Sequence, residues 1–394
     1  MRETTLRFAE RMTRLGGGAM GTILNRVTEL RAQGRDILPL HAGEPDFDTP
    51  NHIVESAVAA LRSGFTHYAP ASGMRALREA VAERVSESRD IPVDPDQVVV
   101  TPGAKPMIYF AILALCQAGD EVIYPNPSYP YFSAIPGFVG ARPVPLPLSM
   151  DTGYKFDPDL LNSLVTTNTR LIILNSPSNP TGGVLSRKNL ESIAEVALEH
   201  DLFVLSDEIY SQILYDSPHQ SIISLPGMID RTVLVDGHSK TYAMTGWRLG
   251  YGVMPHELAT KISRLVLNTF SSTATFTQIA GAEALRATPE PVTNMVATFK
   301  VRRDRMVAKL NAIPGVKCLK PQGAFYAFPT VDAGPLTSFE FSSYLLNDFG
   351  VATYPGSAFG DQGEGFVRLS FACAENQIDE GTDRIAAALA SLST

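Results

Sequence analysis

The strongest constraint on the fold is an alternation of short apolar runs with amphipathic stretches. The apolar runs, rich in β-branched residues, are residues 98–100, 121–124, 171–174, 202–205 and 232–235. Because both faces of these runs are apolar, they are typical of a parallel sheet that is covered on both sides. Helix candidates lie between them, at residues 104–117 and 187–200. Strand, helix, strand alternation predicts an α/β fold.

Each predicted strand ends in polar or turn-forming residues. These ends are residues 101–103, 125–127, 175–177, 206–207 and 236–237. Ligands of open α/β sheets bind beyond the carboxyl ends of the strands. We therefore expect most functional side chains to lie along this one edge of the sheet.

The pattern changes from about residue 289 onwards. A long charged helix is predicted at 292–310, short strands near 324–329 and 367–370, and a final helix at 375–392. The sequence thus predicts a large domain at 44–288 and a smaller α+β domain at 289–394. The arm formed by residues 1–43 lacks a strand pattern, and we expect it to pack on the small domain or on a neighbouring subunit.

Composition limits the classes of function. The chain has 394 residues, of which 44% are hydrophobic, and 33 basic against 41 acidic residues give a net charge of −8. This balance, without a block of one sign, argues against nucleic acid and anionic membranes as partners. The charged first 18 residues lack the apolar core of a secretory signal. Cys116, Cys318 and Cys373 lack the spacing of a zinc or disulfide framework, so we expect no metal and a cytoplasmic location.

Lys240 lies five residues after the end of the last apolar run, and Arg248 stands eight residues later. A lysine so placed can form a Schiff base. The run at 236–248 resembles the cofactor-lysine signature of class I aminotransferases, which are pyridoxal 5'-phosphate-dependent enzymes of fold type I. The resemblance is to the aspartate-aminotransferase-like branch and extends from about Leu30 over nearly the whole chain. It implies a large domain with a mostly parallel seven-stranded sheet, a smaller α+β domain and a homodimer.

The resemblance also implies catalytic roles. Lys240 bonds to the cofactor aldehyde and moves the substrate α-proton, while Arg248 binds the cofactor phosphate. Asp207 keeps the pyridine nitrogen protonated, and Tyr210 and Asn179 hydrogen-bond the ring oxygen. From the residues alone, Asp207 also fits a helix N-cap, and the segment 175–183 also fits a plain Pro-Gly turn.

Further cofactor contacts follow from the same resemblance. They comprise a phosphate-binding turn at a helix N-terminus, a hydroxyl, an aromatic ring that stacks on the cofactor, and a tyrosine that reaches the phosphate of the neighbouring subunit. In that order, the residues are Gly103, Ala104 and Lys105, then Ser239, Tyr129 and Tyr68.

Arg368 is the only basic residue in a short apolar strand, where an unpaired charge is costly. A substrate carboxylate or a structural ion pair would resolve that cost. The resemblance assigns Arg368 to the substrate α-carboxylate and places Gly43 and Asn179 beside the substrate. Lys105 stands where some aspartate-specific relatives have a lysine near the distal carboxylate, although residues 15–22 depart from the Ser/Thr pattern of those relatives.

The predicted activity is ping-pong transfer of an α-amino group from an amino acid to a 2-oxo acid, with a lean towards aspartate and glutamate. Lyases, cyclases and β- or γ-replacement enzymes share the scaffold, and the motifs do not separate them from aminotransferases. A non-catalytic cofactor-binding regulator is less favoured, because no length remains for a DNA-binding module.

Overall fold

The computed structural model describes residues 6–15 and 18–392. Its helices are α1 (Gly18–Ala32), α2 (Asn51–Arg62), α3 (Arg75–Arg89), α4 (Ala104–Leu115), α5 (Tyr131–Val139), α6 (Pro158–Leu164), α7 (Arg187–Glu199), α8 (His238–Thr241), α9 (His256–Thr269), α10 (Thr275–Arg286), α11 (Glu290–Asn311), α12 (Ser338–Phe349) and α13 (Glu375–Leu392). Its strands are β1 (Val98–Thr101), β2 (Glu121–Asn126), β3 (Arg142–Pro147), β4 (Thr169–Asn175), β5 (Phe203–Asp207), β6 (Thr232–Gly237), β7 (Gly250–Val253), β8 (Val316–Lys317), β9 (Tyr326–Ala327), β10 (Thr330–Val331), β11 (Tyr354–Pro355) and β12 (Val367–Ser370).

The main sheet has seven strands in the order β1-β7-β6-β5-β4-β2-β3. Only β7 runs against its neighbours, β1 and β6, so the predicted mostly parallel sheet is confirmed. Alternate residues of β4 point to opposite faces: Leu171 and Ile173 enter one apolar cluster, and Ile172 and Leu174 enter another. Both faces of the strand are therefore buried, as its continuous apolar run predicts.

Two strands of this sheet, β3 and β7, are absent from the five apolar runs. β3 is an edge strand with alternating exposure and three prolines, which an edge tolerates because its outer N–H groups need no partner. β7 contains two glycines that the packing requires. A Cβ at Gly250 would lie 2.5 Å from the backbone nitrogen of Ala104, and one at Gly252 would lie 2.7 Å from Sδ of Met107.

Register brings the carboxyl ends of the central strands together. Asn175 at the end of β4 pairs with Asp207 at the end of β5, and Asp207 pairs with Val235 of β6. Because α8 begins directly after β6, it carries Lys240 to the same edge. The predicted clustering of polar side chains at this edge is confirmed.

The C-terminal part is an α+β unit built on α11, α12 and α13. Strands β11, β12 and β9 form an antiparallel sheet, and β10 pairs with β8. Its core contains Phe299, Phe325, Phe341 and Phe371, and this apolar cluster also includes Tyr210 from the segment after β5. The two parts of the chain therefore meet beside the predicted site.

The N-terminal arm joins this C-terminal unit. Ile23, Val27 and Leu30 of α1 are buried in one cluster with Leu346 and Tyr354. Residues 1–5 and 16–17 of the arm lie outside the described residues, and the division into three parts remains a prediction. In the described chain, no helix has the length and apolarity needed to span a membrane.

Candidate active site

A cavity of about 420 Å³ opens at the carboxyl edge of the sheet, between the sheet and the C-terminal unit. Most residues assigned from the sequence line it. They are Gly43, Ala104, Lys105, Tyr129, Asn179, Asp207, Tyr210, Ser239, Lys240, Arg248 and Arg368. The structure thus brings eleven of the thirteen assigned residues to one space, and only Gly103 and Tyr68 lie outside its lining.

Lys240 extends from the first turn of α8 into the cavity, where its Nζ donates a hydrogen bond to the carbonyl oxygen of Gly43. Burial lowers its pKa to about 8, with Glu44 acting in the opposite direction and the charge of Arg368 adding to the lowering. An amine with this pKa is partly unprotonated near neutral pH. Lys240 is therefore suited to attack a carbonyl group and to accept a proton.

Asp207 ends β5 and is buried. Its Oδ1 accepts a hydrogen bond from the backbone nitrogen of Ile209 at 3.2 Å, but the chain then turns and no helix begins, so the helix N-cap alternative is wrong. The pKa of Asp207 is raised to about 7, mainly by burial and also by the charges of Asp236 and Glu208, against the lowering effects of the hydrogen bond from Ile209 and the charge of Lys240. No ion pair joins this carboxylate to a cation within the described part of the chain. It is suited to hold a proton shared with a basic ligand atom.

Tyr210 lies in the segment that follows Asp207. Its hydroxyl is 2.8 Å from the hydroxyl of Tyr326 on β9, and both rings are buried. Burial raises the pKa of Tyr210 well above its usual value, so the phenol stays protonated and can donate a hydrogen bond. The sequence indicated no role for Tyr326, although the structure places it in the cavity wall.

Asn179 lies in the loop after β4. Its backbone nitrogen donates to Oδ1 of Asn175 at 2.8 Å, and Nδ2 of Asn175 donates to the carbonyl oxygen of Asp207 at 3.2 Å. The side-chain oxygen of Asn179 accepts from Nη1 of Arg368 at 3.0 Å. The loop is therefore fixed to the end of β5 and to Arg368, which a plain Pro-Gly turn does not require.

Arg368 projects from β12 into the cavity and is only 2% exposed. Nη2 donates to the carbonyl oxygen of His41 at 2.8 Å, and the guanidinium carbon lies 4.3 Å from the ring centre of Tyr326 and 5.0 Å from that of Tyr354. Its Nε has no hydrogen-bond partner. No carboxylate pairs with it in the described residues, so the alternative of a structural ion pair is not found there. A buried guanidinium without a counter-ion is a site for a ligand carboxylate.

The turn between β1 and α4 presents uncapped helix amides beside a guanidinium. Gly103 precedes α4 with φ at +93°, and no side chain caps the first amides of that helix. Arg248 packs against the turn so closely that a Cβ on Gly103 would lie 2.3 Å from its Nη2. Free helix-terminal amides beside a guanidinium, with the hydroxyl residue Ser239 in the same cavity, suit a phosphate.

Lys105, in the first turn of α4, is exposed at the cavity. Its Nζ lies 5.3 Å from the ring centre of Tyr129 and 5.9 Å from that of Tyr131. Burial of the amine and the charge of Arg248 lower the pKa of Lys105. In the described chain it has no carboxylate partner, so its charge is available to a ligand.

Several residues of the cavity wall had no role assigned from the sequence. Met20 comes from α1 and Tyr354 from β11, while Asn175 ends β4. Only Asn175 carried a usable signal, a polar side chain at a strand end. Tyr68, by contrast, is 88% exposed and outside the cavity of its own chain.

Comparison with known proteins identifies the family. The family profile described as aminotransferase class I and II matches residues 35–385. The chain belongs to the class I and II aminotransferase family. It is an aminotransferase, and its cofactor is pyridoxal phosphate.

Relatives match over almost the full chain. The aspartate aminotransferase of Pyrococcus abyssi is 41% identical over 366 residues, which are 92% of this chain and 94% of that protein. The aromatic-amino-acid aminotransferase 2 of Thermococcus litoralis is 41% identical, over 90% of this chain and 92% of the relative. The solved structure of aspartate aminotransferase from Thermus thermophilus with maleate has a TM-score of 0.93, 34% identity, and coverage of 98% and 100%. These relatives favour transamination over the lyase, cyclase and replacement alternatives.

The described site fits pyridoxal phosphate. The uncapped start of α4 beside Arg248 suits the phosphate, and the buried Asp207, without a cation, suits a protonated ring nitrogen. The unpaired Nε of Arg368 leaves a donor for the carboxylate of an amino acid.

Proposed function

We propose that the cavity is the active site of this aminotransferase and that Lys240 is its central catalytic residue. Pyridoxal phosphate, when bound, supplies an aldehyde for the amino group and a ring that accepts electrons from the α-carbon. Lys240 would hold the cofactor aldehyde through Nζ until the substrate amino group displaces it, and the freed Nζ would then move the proton of the substrate α-carbon. The lowered pKa of Lys240, about 8, supports this role as general base.

The remaining assignments concern binding. Asp207 holds the proton on the ring nitrogen, and Tyr210 and Asn179 hydrogen-bond the ring oxygen. The phosphate is bound by Gly103, Ala104 and Lys105 of the α4 turn, by the hydroxyl of Ser239 and the guanidinium of Arg248, and by Tyr68 of the second subunit. The ring of Tyr129 stacks on the pyridine.

The proposed site for the substrate α-carboxylate is Arg368. It is buried, unpaired with any carboxylate of the described chain, and beside both Asn179 and Tyr326. An α-carboxylate would supply the missing charge, and binding there would orient the α-carbon towards Lys240, with Gly43 alongside. One amino acid leaves as its 2-oxo acid before a second 2-oxo acid accepts the amino group, which is ping-pong exchange.

We further propose aspartate or glutamate as preferred substrates, because Lys105 offers a second positive charge in the same cavity. The Pyrococcus relative is named for aspartate, and the Thermus structure contains maleate, a dicarboxylate. A charge-assisted contact is worth roughly 1.5–3 kcal/mol, or about ten- to a hundredfold in discrimination.

Stopped-flow half-reactions with Asp, Glu, Ala and Phe test these assignments through the change in cofactor absorbance. We expect Arg368→Lys to weaken the binding of all four amino donors, since lysine cannot make the bidentate contact with the α-carboxylate. Lys105→Ala should weaken the binding of only Asp and Glu. Lys320→Ala, which removes an exposed lysine paired with Asp304, is the matched control. Equal effects of Lys105→Ala on all donors would contradict a dicarboxylate preference, and a preference for Phe would favour aromatic substrates.

Assembly and location complete the proposal. We infer a homodimer with shared active sites, supported by the exposure of Tyr68, which the resemblance to class I aminotransferases assigns to the phosphate of the neighbouring subunit. We also infer a cytoplasmic location, supported by Cys116, Cys318 and Cys373, which are all buried and unpaired.

A further inference from the structure

A buried charge cluster adjoins Asp207 outside the wall of the active-site cavity. It consists of Arg89 at the end of α3, Glu208 after β5 and Asp236 in β6, and we call it the Arg89 cluster. Nη2 and Nε of Arg89 donate to Oε2 of Glu208 at 2.7 and 3.1 Å. Nη2 also lies 3.8 Å from Oδ2 of Asp236. All three side chains are less than 10% exposed.

The cluster is rigidly held. Oε1 of Glu208 accepts hydrogen bonds from the hydroxyls of Ser206 and Ser221, and Oε2 faces Nε2 of His219 at 2.8 Å. Removing Arg89 would therefore leave Glu208 in place but without its guanidinium.

Asp236 is held in the same way. Its Oδ1 accepts from the backbone nitrogen of Gly237 at 2.7 Å, and its Oδ2 accepts from the hydroxyl of Ser211 at 3.1 Å. Neither contact supplies a positive charge. Arg89 is the cation paired with Asp236 in the described part of the chain.

The cluster acts on Asp207 through charge. Three carboxylates, those of Asp207, Glu208 and Asp236, occupy the ends of neighbouring strands β5 and β6, and Arg89 pairs with the two that do not face the cavity. The charged and titratable groups around Asp207 are Glu208, Asp236, Lys240, Tyr129 and Tyr210. Without Arg89, the negative charges of Glu208 and Asp236 would draw a proton onto Asp207.

We propose that Arg89 is a positioning residue for transamination, because its positive charge offsets part of the negative charge of Glu208 and Asp236 and so keeps the proton shared with Asp207 on the cofactor ring nitrogen. The inference rests on the role proposed above for Asp207. It assigns a functional reason for a buried arginine that touches neither substrate nor cofactor. A ring nitrogen without its proton is a weaker electron acceptor, so the loss of Arg89 should slow removal of the α-proton.

The direct test uses holoenzyme reconstituted with pyridoxal phosphate that carries ¹⁵N in the ring. Its ¹⁵N resonance distinguishes a protonated from a neutral nitrogen. We expect a protonated nitrogen in the unaltered enzyme and in Arg89→Lys, and a shift towards the neutral form in Arg89→Met. Arg303→Met removes another fully buried, ion-paired arginine and serves as the control for loss of stability. A protonated nitrogen in Arg89→Met would overturn the inference.

A second readout separates this role from a structural one. The affinity of the full chain is measured for pyridoxal phosphate and for its 1-deaza analogue, in which carbon replaces the ring nitrogen. Arg89→Met should lower the preference for the nitrogen-containing cofactor about tenfold, the equivalent of one pKa unit, whereas Arg303→Met should leave it unchanged. If Arg89→Met does not fold, Arg89→Gln, which keeps a donor without the charge, replaces it with the same expectation.

Asp207→Asn distinguishes the possible failures. If Asp207→Asn lowers the preference for the nitrogen-containing cofactor but Arg89→Met and Arg89→Gln do not, Arg89 has no such role and the role of Asp207 stands. If Asp207→Asn leaves the preference unchanged, the proposed contact between Asp207 and the ring nitrogen is wrong, and the inference about Arg89 falls with it.

Discussion

The buried carboxylate of Asp207 lowers the stability of the folded protein when it is ionised and no ligand is bound. Its pKa in the folded protein is about 7, against 3.8 without burial. Because the folded pKa is the higher one, the folded state is favoured when Asp207 is protonated, below about pH 4. That contribution is lost as pH rises to about 7. The cofactor-free enzyme therefore carries an electrostatic cost at neutral pH.

Asp207→Asn should remove that cost. In the cofactor-free enzyme, we expect Asp207→Asn to raise the free energy of unfolding, relative to the unaltered protein, by about 3 kcal/mol more at pH 8 than at pH 5. Urea unfolding followed by circular dichroism measures the difference at both pH values. With pyridoxal phosphate bound the sign should reverse, since the substitution removes the partner of the ring nitrogen. An identical difference at the two pH values would show that Asp207 does not titrate in this range.

The turn from β1 into α4 depends on backbone geometry more than on side chains. Gly103→Ala places a Cβ where Nη2 of Arg248 now lies, and it also strains a residue with φ at +93°. We expect the affinity for pyridoxal phosphate to fall about tenfold or more, because Arg248 is displaced from the anion site. Titration of the cofactor-free enzyme, followed by fluorescence, measures this affinity.

Gly119→Ala is the matched control for that substitution. Gly119 has nearly the same φ, +94°, but a Cβ there meets nothing within 4 Å. Both variants should lose stability through backbone strain, and only Gly103→Ala should lose cofactor affinity. Equal losses of affinity would mean that strain, and not the displacement of Arg248, is responsible.

Sequence patterns predicted the central strands and missed two others for physical reasons. β4 and β5 contain continuous apolar runs at 171–174 and 203–205 that are largely buried on both faces, which is typical of strands in a covered parallel sheet. β7 has the sequence Gly-Tyr-Gly-Val, in which small residues serve close packing and hide the strand pattern. Lys240 and Asp207, which the structure places in the cavity, could be singled out from the sequence because they lie in motifs near strand ends. Met20 and Tyr354 enter the cavity only through tertiary packing, which no local pattern encodes.

The protein is expected to function as a dimer, since Tyr68 is exposed and does not line the cavity of its own subunit. Lys240→Ala and Tyr68→Phe chains should each have little activity alone. Mixed under conditions that exchange subunits, they should regain activity, because one site of the heterodimer then combines an intact Lys240 with an intact Tyr68. Assays of the mixture measure the gain. A fully active monomer in sedimentation, or no gain on mixing, would contradict a shared site.

Two hydrogen bonds inside the cavity join the main sheet to the C-terminal unit: Tyr210 to Tyr326, and Arg368 to Asn179. Each bond uses an atom that a substrate or cofactor would also approach. A ligand that draws Arg368 away from Asn179 therefore changes the free energy of the joint between the two parts of the molecule. A ligand that binds one placement of the two parts more tightly than another would therefore couple occupancy of the site to that placement.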